Sequence, residues 1–119
     1  MSQSERDARC IGQMAAGDAA ALAELYDRHS NHLYSLALRI VRDTSDAEEV
    51  LQATWMQAWR SASSYDAARG TVGAWLVTIA RSRALDRVRS LASRRRAETA
   101  AAQESAAAPA PLGPDPAAG

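Results

Sequence analysis

Residues 19–42 read AAALAELYDRHSNHLYSLALRIVR, and this stretch decides the fold. Its apolar positions recur with a period of about 3.6 residues and without a break in phase. These positions are Leu22, Leu25, Tyr26, His29, Leu33, Leu36, Ala37 and Ile40. The pattern predicts one long amphipathic helix over 19–42, or two nearly collinear helices divided near Ser30-Asn31, with Asp18 as the N-cap.

One further helix is predicted before this stretch and one after it. A short helix runs from about Glu5 to Ala16 and ends at Gly17. After a turn at residues 43–45, Ser45-Asp46-Ala47-Glu48 has the spacing of a capping box and predicts the start of a third helix. Its inner stripe consists of Ala47, Val50, Leu51, Thr54, Trp55, Ala58 and Ala62.

A fourth helix is predicted from about Thr71 to Arg96, after a loop of turn-forming residues at 61–70. Its first half turns Val72, Trp75, Leu76, Ile79 and Ala80 inward. Beyond Ala80 the same phase carries charged side chains, so the second half is expected to leave the core.

The chain ends in Ala, Pro, Gly, Ser and acidic residues without amphipathic periodicity. Residues 98–119 are therefore expected to form a linker or disordered tail, and residues 1–97 a single helical domain. The predicted fold class is all-α, a compact bundle of about four helices.

The charge of the chain is balanced overall but uneven along it. All fourteen basic residues are Arg; residues 69–96 carry eight of them against the single acid Asp86, a net charge of +7. Such a segment indicates a polyanion as partner, and a solvated helix face is the alternative of about equal weight. Cys10 is the only cysteine, which excludes an intramolecular disulfide. No apolar run is long enough for a membrane span, and we expect a cytoplasmic protein.

No motif of an enzyme, a phosphate loop or a zinc site is present, so we expect no catalysis, no cofactor and no metal. His29 and His32 are spaced i, i+3, but His29 belongs to the apolar stripe and is more simply a core or boundary residue. Trp55 and Trp75 are expected in the core. Trp59, at the edge of its stripe, fits partner contact and partial burial about equally.

A polar and aromatic loop at residues 65–71 leads directly into the Arg-rich helix. Aromatic rings and guanidinium groups beside a flexible loop suit unstacked nucleobases. Pairing of Asp86 with Arg83 or Arg89 is the plainer explanation for part of this pattern.

About 80 residues, from Ile11 to Ser90, closely resemble region 2 of extracytoplasmic-function (ECF) sigma factors of RNA polymerase. The resemblance rests on Gly17-Asp18 before a helix with Tyr26, then residues 39–43, 46–52, Trp59-Arg60, Tyr65-Asp66, Trp75-Leu76 and 79–89. It implies a domain that binds core RNA polymerase and recognises and melts the promoter minus-ten element for transcription initiation.

The resemblance also implies which residues do this. The third helix would dock on the clamp helices of the largest polymerase subunit through Asp46, Glu49, Gln52, Met56, Trp59 and Arg60. A flipped base of the non-template minus-ten strand would lie at or near Tyr65, Asp66, Trp75, Ser82 and Arg83, with Arg81, Arg87 and Arg89 on phosphates. An anti-sigma factor is a further implied partner.

Two departures qualify the resemblance. Many family members have Asn where this chain has Ser82, which bears on the preferred base. The family's second, minus-thirty-five-reading domain is missing, so we expect a fragment or shortened member that would not select a two-element promoter alone. A helical module that binds an anti-sigma factor or another regulator without productive DNA contact is the alternative function, and a small-molecule-binding bundle or enzyme is a third.

Overall fold

The structure, a computed structural model, describes residues 1–107. These form four α helices in chain order: α1 (Gln3–Ala15), α2 (Ala19–Val41), α3 (Thr44–Ser61) and α4 (Val72–Ala107). Two single turns of 3₁₀ helix, Ala62–Ser64 and Ala67–Arg69, lie between α3 and α4. The predicted all-α bundle is confirmed, and α2 is one helix without a division near Ser30.

The ends of the first two helices follow from local side-chain chemistry. Ser2 caps α1 and forms a reciprocal capping box with Glu5. Gly17 follows α1 with φ +96°, a left-handed conformation that side chains rarely adopt. Asp18 accepts a hydrogen bond from the backbone N–H of Ala20, which confirms the predicted N-cap of α2.

The start of α3 corrects the sequence interpretation. The N-cap is Asp43, whose Oδ2 accepts a hydrogen bond of 2.9 Å from the backbone N–H of Asp46. The capping box predicted at Ser45 is therefore wrong, and Ser45 lies in the first turn of the helix. Asp43 competes successfully because Arg42 closes α2 in the left-handed region, at φ 61°, which leaves Asp43 extended at the N-cap.

The core is aliphatic, small and aromatic, as the stripes predicted, except that Trp75, which its stripe predicted in the core, is only partly buried. Leu25, Leu33 and Leu76 are 0–1% exposed and pack with Trp55, whose indole Nε1 donates a 3.0 Å hydrogen bond to Ser30 Oγ. A second cluster joins α2, α3 and α4 through Ala37, Ala47, Val50 and Ala84. Small residues at this second contact allow the three backbones to approach closely.

A buried carboxylate joins α1 to α2. Asp7 is 3% exposed and receives hydrogen bonds or ion pairs from Arg28 Nη2 at 2.7 Å and Arg28 Nε at 2.9 Å. Its second oxygen lies 2.8 Å from His29 Nε2. His29 is therefore a structural partner of a buried acid, in line with the boundary role predicted for it.

The fourth helix is longer than predicted. It reaches Ala107, whereas the sequence predicted an end near Arg96. Residues 97–107 are rich in Ala with Glu and Gln, all strong helix formers, and no Pro occurs before Pro109. The rest of the predicted tail, 108–119, lies outside the described residues.

The chain divides into two compact units, Met1–Val88 and a second unit that begins at Arg89. In the first unit the buried stripe of α4 passes through Ile79, Ala80 and Ala84, while Leu85 and Val88 are 41% and 38% exposed. The predicted departure from the core directly after Ala80 is therefore wrong by about one turn, because Ala84 is fully buried in the second cluster. Among the described residues, no helix is both long and apolar enough to cross a membrane.

Candidate functional site

The outer face of α3 carries most of the residues predicted to bind polymerase. Glu49, Gln52, Met56 and Arg60 are exposed, at helical spacings of three and four that place them along one side. Met56 is 56% exposed, which is unusual for a large apolar side chain. Trp59 is half-buried against the core. These five residues are called the α3 outer face below.

An apolar groove runs beside this face, between α2 and α3. Its volume is about 520 Å³. Its lining consists of Ala19, Leu22, Tyr26, Gln52, Trp55, Met56, Trp59 and Arg60. The name α2–α3 groove is used for this set.

Tyr26 is the groove residue that sequence periodicity misplaced. The α2 stripe predicted it inward, yet it is 46% exposed, and its ring centroid lies 5.6 Å from that of Trp55 at a tilt of 42°. The apolar stripe of a helix does not show which of its residues the neighbouring helix covers. Tyr26 is therefore a candidate contact residue that periodicity alone would not reveal.

Asp46 differs from the other predicted polymerase contacts, because it faces α4. Its Oδ1 accepts hydrogen bonds from Arg87 Nη2 at 2.6 Å and Nε at 2.9 Å. Glu49 lies 3.4 Å from the same guanidinium. The hydrogen bond to Asp46 is the main cause that raises the pKa of Arg87, so its guanidinium stays charged. Asp46 and Arg87, predicted for two different partners, are thus engaged with each other.

A second concavity lies where the loop meets the first turns of α4. Its volume is about 460 Å³. It is lined by Ser64, Tyr65, Asp66, Arg69, Gly70, Thr71, Ala74, Trp75 and Thr78. This set is called the loop pocket. The structure therefore brings together three predicted DNA-binding residues, Tyr65, Asp66 and Trp75.

The aromatic pair of the loop pocket is held in place by short-range contacts. Tyr65 Oη donates a 2.7 Å hydrogen bond to the Gly70 carbonyl, and its ring meets Trp75 edge to face at 5.6 Å. Partial burial, with Asp66 as a smaller cause, raises the pKa of Tyr65 and keeps its hydroxyl protonated as a donor. Gly70 has φ +144°, which favours glycine at this turn.

The loop itself is anchored by two side-chain caps. Asp66 Oδ1 accepts from the backbone N–H of Ala68, and Thr71 Oγ1 accepts from that of Ala74 at the start of α4. These bonds satisfy backbone donors that a free loop would leave to water. The loop pocket is consequently a formed site with an aromatic wall, a cation at Arg69 and several polar atoms.

The remaining predicted DNA contacts lie farther along α4. Arg81 and Ser82 are exposed, while Arg83 is partly buried and its Nε donates a 2.7 Å hydrogen bond to Gln57 Oε1. Ser82 lies seven residues, about 10 Å along the helix, beyond Trp75 and does not line the loop pocket. Arg89 is exposed and belongs to the second unit.

Arg69 and Thr78 are among the pocket residues that were not predicted as site residues from the sequence. Arg69 was counted in the basic segment but not among the site residues. Thr78 follows Ala74 and Trp75 at i+4 and i+3, so the helical spacing from the aromatic residue could have identified it. Among the described residues, no group of three His, Cys, Asp or Glu side chains could hold a metal ion.

Comparison with known proteins identifies the class to which this fold and these sites belong. Residues 25–95 match the family described as sigma-70 region 2. The chain belongs to this family, as the resemblance predicted. It is 44% identical over 79 residues to the ECF RNA polymerase sigma factor SigK of Mycobacterium tuberculosis strain H37Rv. The SigK of Mycobacterium sp. strain KMS is 46% identical over 80 residues.

These relatives are longer than the matched part. The matches cover 66% and 67% of this chain but 42% of each relative, so the chain spans about two fifths of the length of the curated relatives it matches. Both matched relatives are named as ECF sigma factors, which places the chain among region 2 domains of that type.

Proposed function

We propose that this chain binds core RNA polymerase through α3 and captures the non-template minus-ten strand of promoter DNA in the loop pocket. The loop pocket is the single observation that carries the proposal. It places an aromatic pair, a cation and polar atoms in one concavity of a domain that belongs to the sigma-70 region 2 family. The protein would act in the cytoplasm, where polymerase and promoter DNA meet, and without catalysis of its own.

Polymerase docking is supported by the composition of the α3 outer face. An exposed methionine and a half-buried tryptophan lie beside a carboxylate, an amide and a guanidinium. Apolar anchors with a polar surround are typical of protein interfaces. The clamp helices of the largest subunit are the proposed partner, and the α2–α3 groove extends the contact to Tyr26.

Capture of a base would drive melting without nucleotide hydrolysis. Stacking on an aromatic side chain contributes about 1–3 kcal/mol per base. That contribution offsets the few kcal/mol needed to unstack and unpair a nucleotide. Arg69 in the loop, together with Arg81 and the other arginines of α4, would hold the backbone phosphates. Docking on polymerase would make this weak contact effectively intramolecular.

A protein-interaction module is the second candidate, favoured by the apolar character of the α2–α3 groove. An anti-sigma factor or another regulator could occupy the same groove without any DNA contact. Polymerase binding distinguishes the two functions, because promoter capture requires the chain to bind polymerase and the protein-interaction module does not.

The test is a pull-down of purified core polymerase by the chain. Glu49→Arg with Gln52→Ala alters the α3 outer face and should weaken binding by about tenfold or more, since truncation of central interface residues costs above 1 kcal/mol. A matched double variant, Asp27→Arg with Asn31→Ala, makes the same changes at exposed positions of α2 and should bind like the parent. Circular dichroism checks that all three are folded.

Failure of the parent to bind polymerase would contradict the proposal and favour the interaction module. Equal binding by both double variants would move the polymerase contact away from α3.

A further inference from the structure

One guanidinium connects the two proposed surfaces. Arg87, on α4, contacts Asp46 at 2.6 Å and 2.9 Å and Glu49 at 3.4 Å, and both carboxylates belong to α3. The side chains of Arg87 and Asp46 are 24% and 17% exposed, whereas that of Glu49 is 58% exposed. The Asp46 contact is thus the short and sheltered one, and the Glu49 contact is long and open to solvent.

The two carboxylates have different geometric relations to Arg87. Asp46 Oδ1 holds Nε and Nη2, which fixes the direction of the guanidinium plane. Glu49 lies over the terminal nitrogens, with Oε1 3.4 Å from Nη1 and Oε2 3.4 Å from Nη2. Because a guanidinium has five N–H donors, Nη1 can change partner while Nε stays on Asp46.

We propose that Glu49 covers Arg87 in the free protein, and that polymerase docking on Glu49 makes Arg87 available to a DNA phosphate. This rests on the proposed function, because it assigns Glu49 to the polymerase surface and Arg87 to the DNA surface. Asp46 then serves as a positioning residue that keeps the uncovered guanidinium directed outward. A cationic group of polymerase that pairs with Glu49 removes the negative charge that competes with phosphate.

The coupling has two necessary consequences. DNA affinity of the free chain is lowered by the carboxylate, and polymerase docking raises it. Since coupling between two ligands is reciprocal, bound DNA must strengthen polymerase binding by the same factor. The expected factor is about two- to five-fold, the range that partly exposed ion pairs contribute.

The test measures binding of labelled single-stranded DNA to the free chain over a range of salt concentrations. Glu49→Gln should raise affinity about two- to five-fold at low salt. It should also steepen the dependence of log affinity on log salt by about 0.7, the value for one added phosphate contact on a single strand. Glu48→Gln is the matched control, because it removes the same charge at the adjacent exposed position.

The substitution Arg87→Gln completes a double-mutant cycle with Glu49→Gln. In the Arg87→Gln background, Glu49→Gln should no longer change affinity or the salt slope. A gain that equals that of Glu48→Gln, or that persists without Arg87, overturns the inference in favour of a general charge effect. Absence of DNA binding by every variant also overturns it, because Glu49 would then not be what limits binding. The polymerase pull-down is independent of these results and tests the proposed function separately.

Discussion

At the scale of single residues, the buried acid Asp7 shows how polar groups fix the packing of this bundle. A carboxylate that loses water must be paired, and Arg28 and His29 provide that pairing from the next helix. Glu24 supports Arg28 from one turn earlier, through a 2.8 Å ion pair. The hydrogen bond to Glu24 is the first cause that raises the pKa of Arg28, so Asp7 faces a permanent cation.

Asp7→Asn should lower the free energy of unfolding by about 2–3 kcal/mol, because it removes the buried carboxylate with which Arg28 and His29 are both paired. The change in a urea titration followed by circular dichroism gives this value. Asp27→Asn removes an exposed acid on α2 and should change the stability by less than about 0.5 kcal/mol. Equal effects of the two substitutions would show that the Asp7 pairing does not stabilise the fold.

At the scale of elements, helix starts and lengths are where local rules compete. Asp43 and Ser45 are both good N-cap residues, and Ser45 with Glu48 has the capping-box spacing. The choice between them depends on where α2 ends, two residues earlier, which periodicity does not determine to single residues. The structure places the cap on Asp43.

Asp43→Ala should therefore destabilise the protein by about 1 kcal/mol, the usual contribution of an N-cap. Ser45→Ala should change the stability by less than about 0.5 kcal/mol, because Ser45 lies in the first turn of α3 and Ala is a better helix former than Ser. Thermal unfolding of the two variants compares them directly. If Ser45→Ala were the more destabilising of the two substitutions, Ser45 would be the N-cap of α3.

A similar competition between local signals explains why α4 is longer than predicted. A composition of Ala, Glu and Gln fits both a helix and a polar linker, because Ala is abundant in each. The absence of amphipathic periodicity after Arg96 predicted a linker, but an exposed helix needs no such periodicity. The observed helix continues to Ala107.

At the scale of the whole molecule, much of the fold could be predicted from sequence and the site could be predicted in part. The stripes of α2 and α3 identified Leu25, Leu33 and Trp55 as core residues, because each has an apolar neighbour on its stripe at a spacing of three or four residues. Which surface side chains meet across helices has no such signal. The contact between Asp46 and Arg87 joins positions 41 residues apart.

The loop pocket, like the contacts between helices, could be predicted from the sequence only in part. Tyr65 belongs to the polar and aromatic loop that the residues themselves single out. The helical stripe predicts Trp75 in the core, and only the resemblance to the sigma-factor family implies a place for it near a flipped base. Arg69 and Thr78 became candidates only when the loop and the first turns of α4 were seen to enclose one space. Polymerase and DNA contacts of all these residues stay predictions.

The most direct test of the central claim is polymerase-dependent capture of single-stranded DNA. Fluorescence anisotropy of labelled random-sequence strands of about 12 nucleotides, within the usual site size, would be measured with core polymerase and the chain. We predict that tight, salt-sensitive binding requires both proteins, that Arg69→Ala weakens it several-fold, and that Arg39→Ala, at an exposed position of α2, does not. No binding at any ionic strength, or equal binding by these two variants, would contradict the assignment of the loop pocket to DNA.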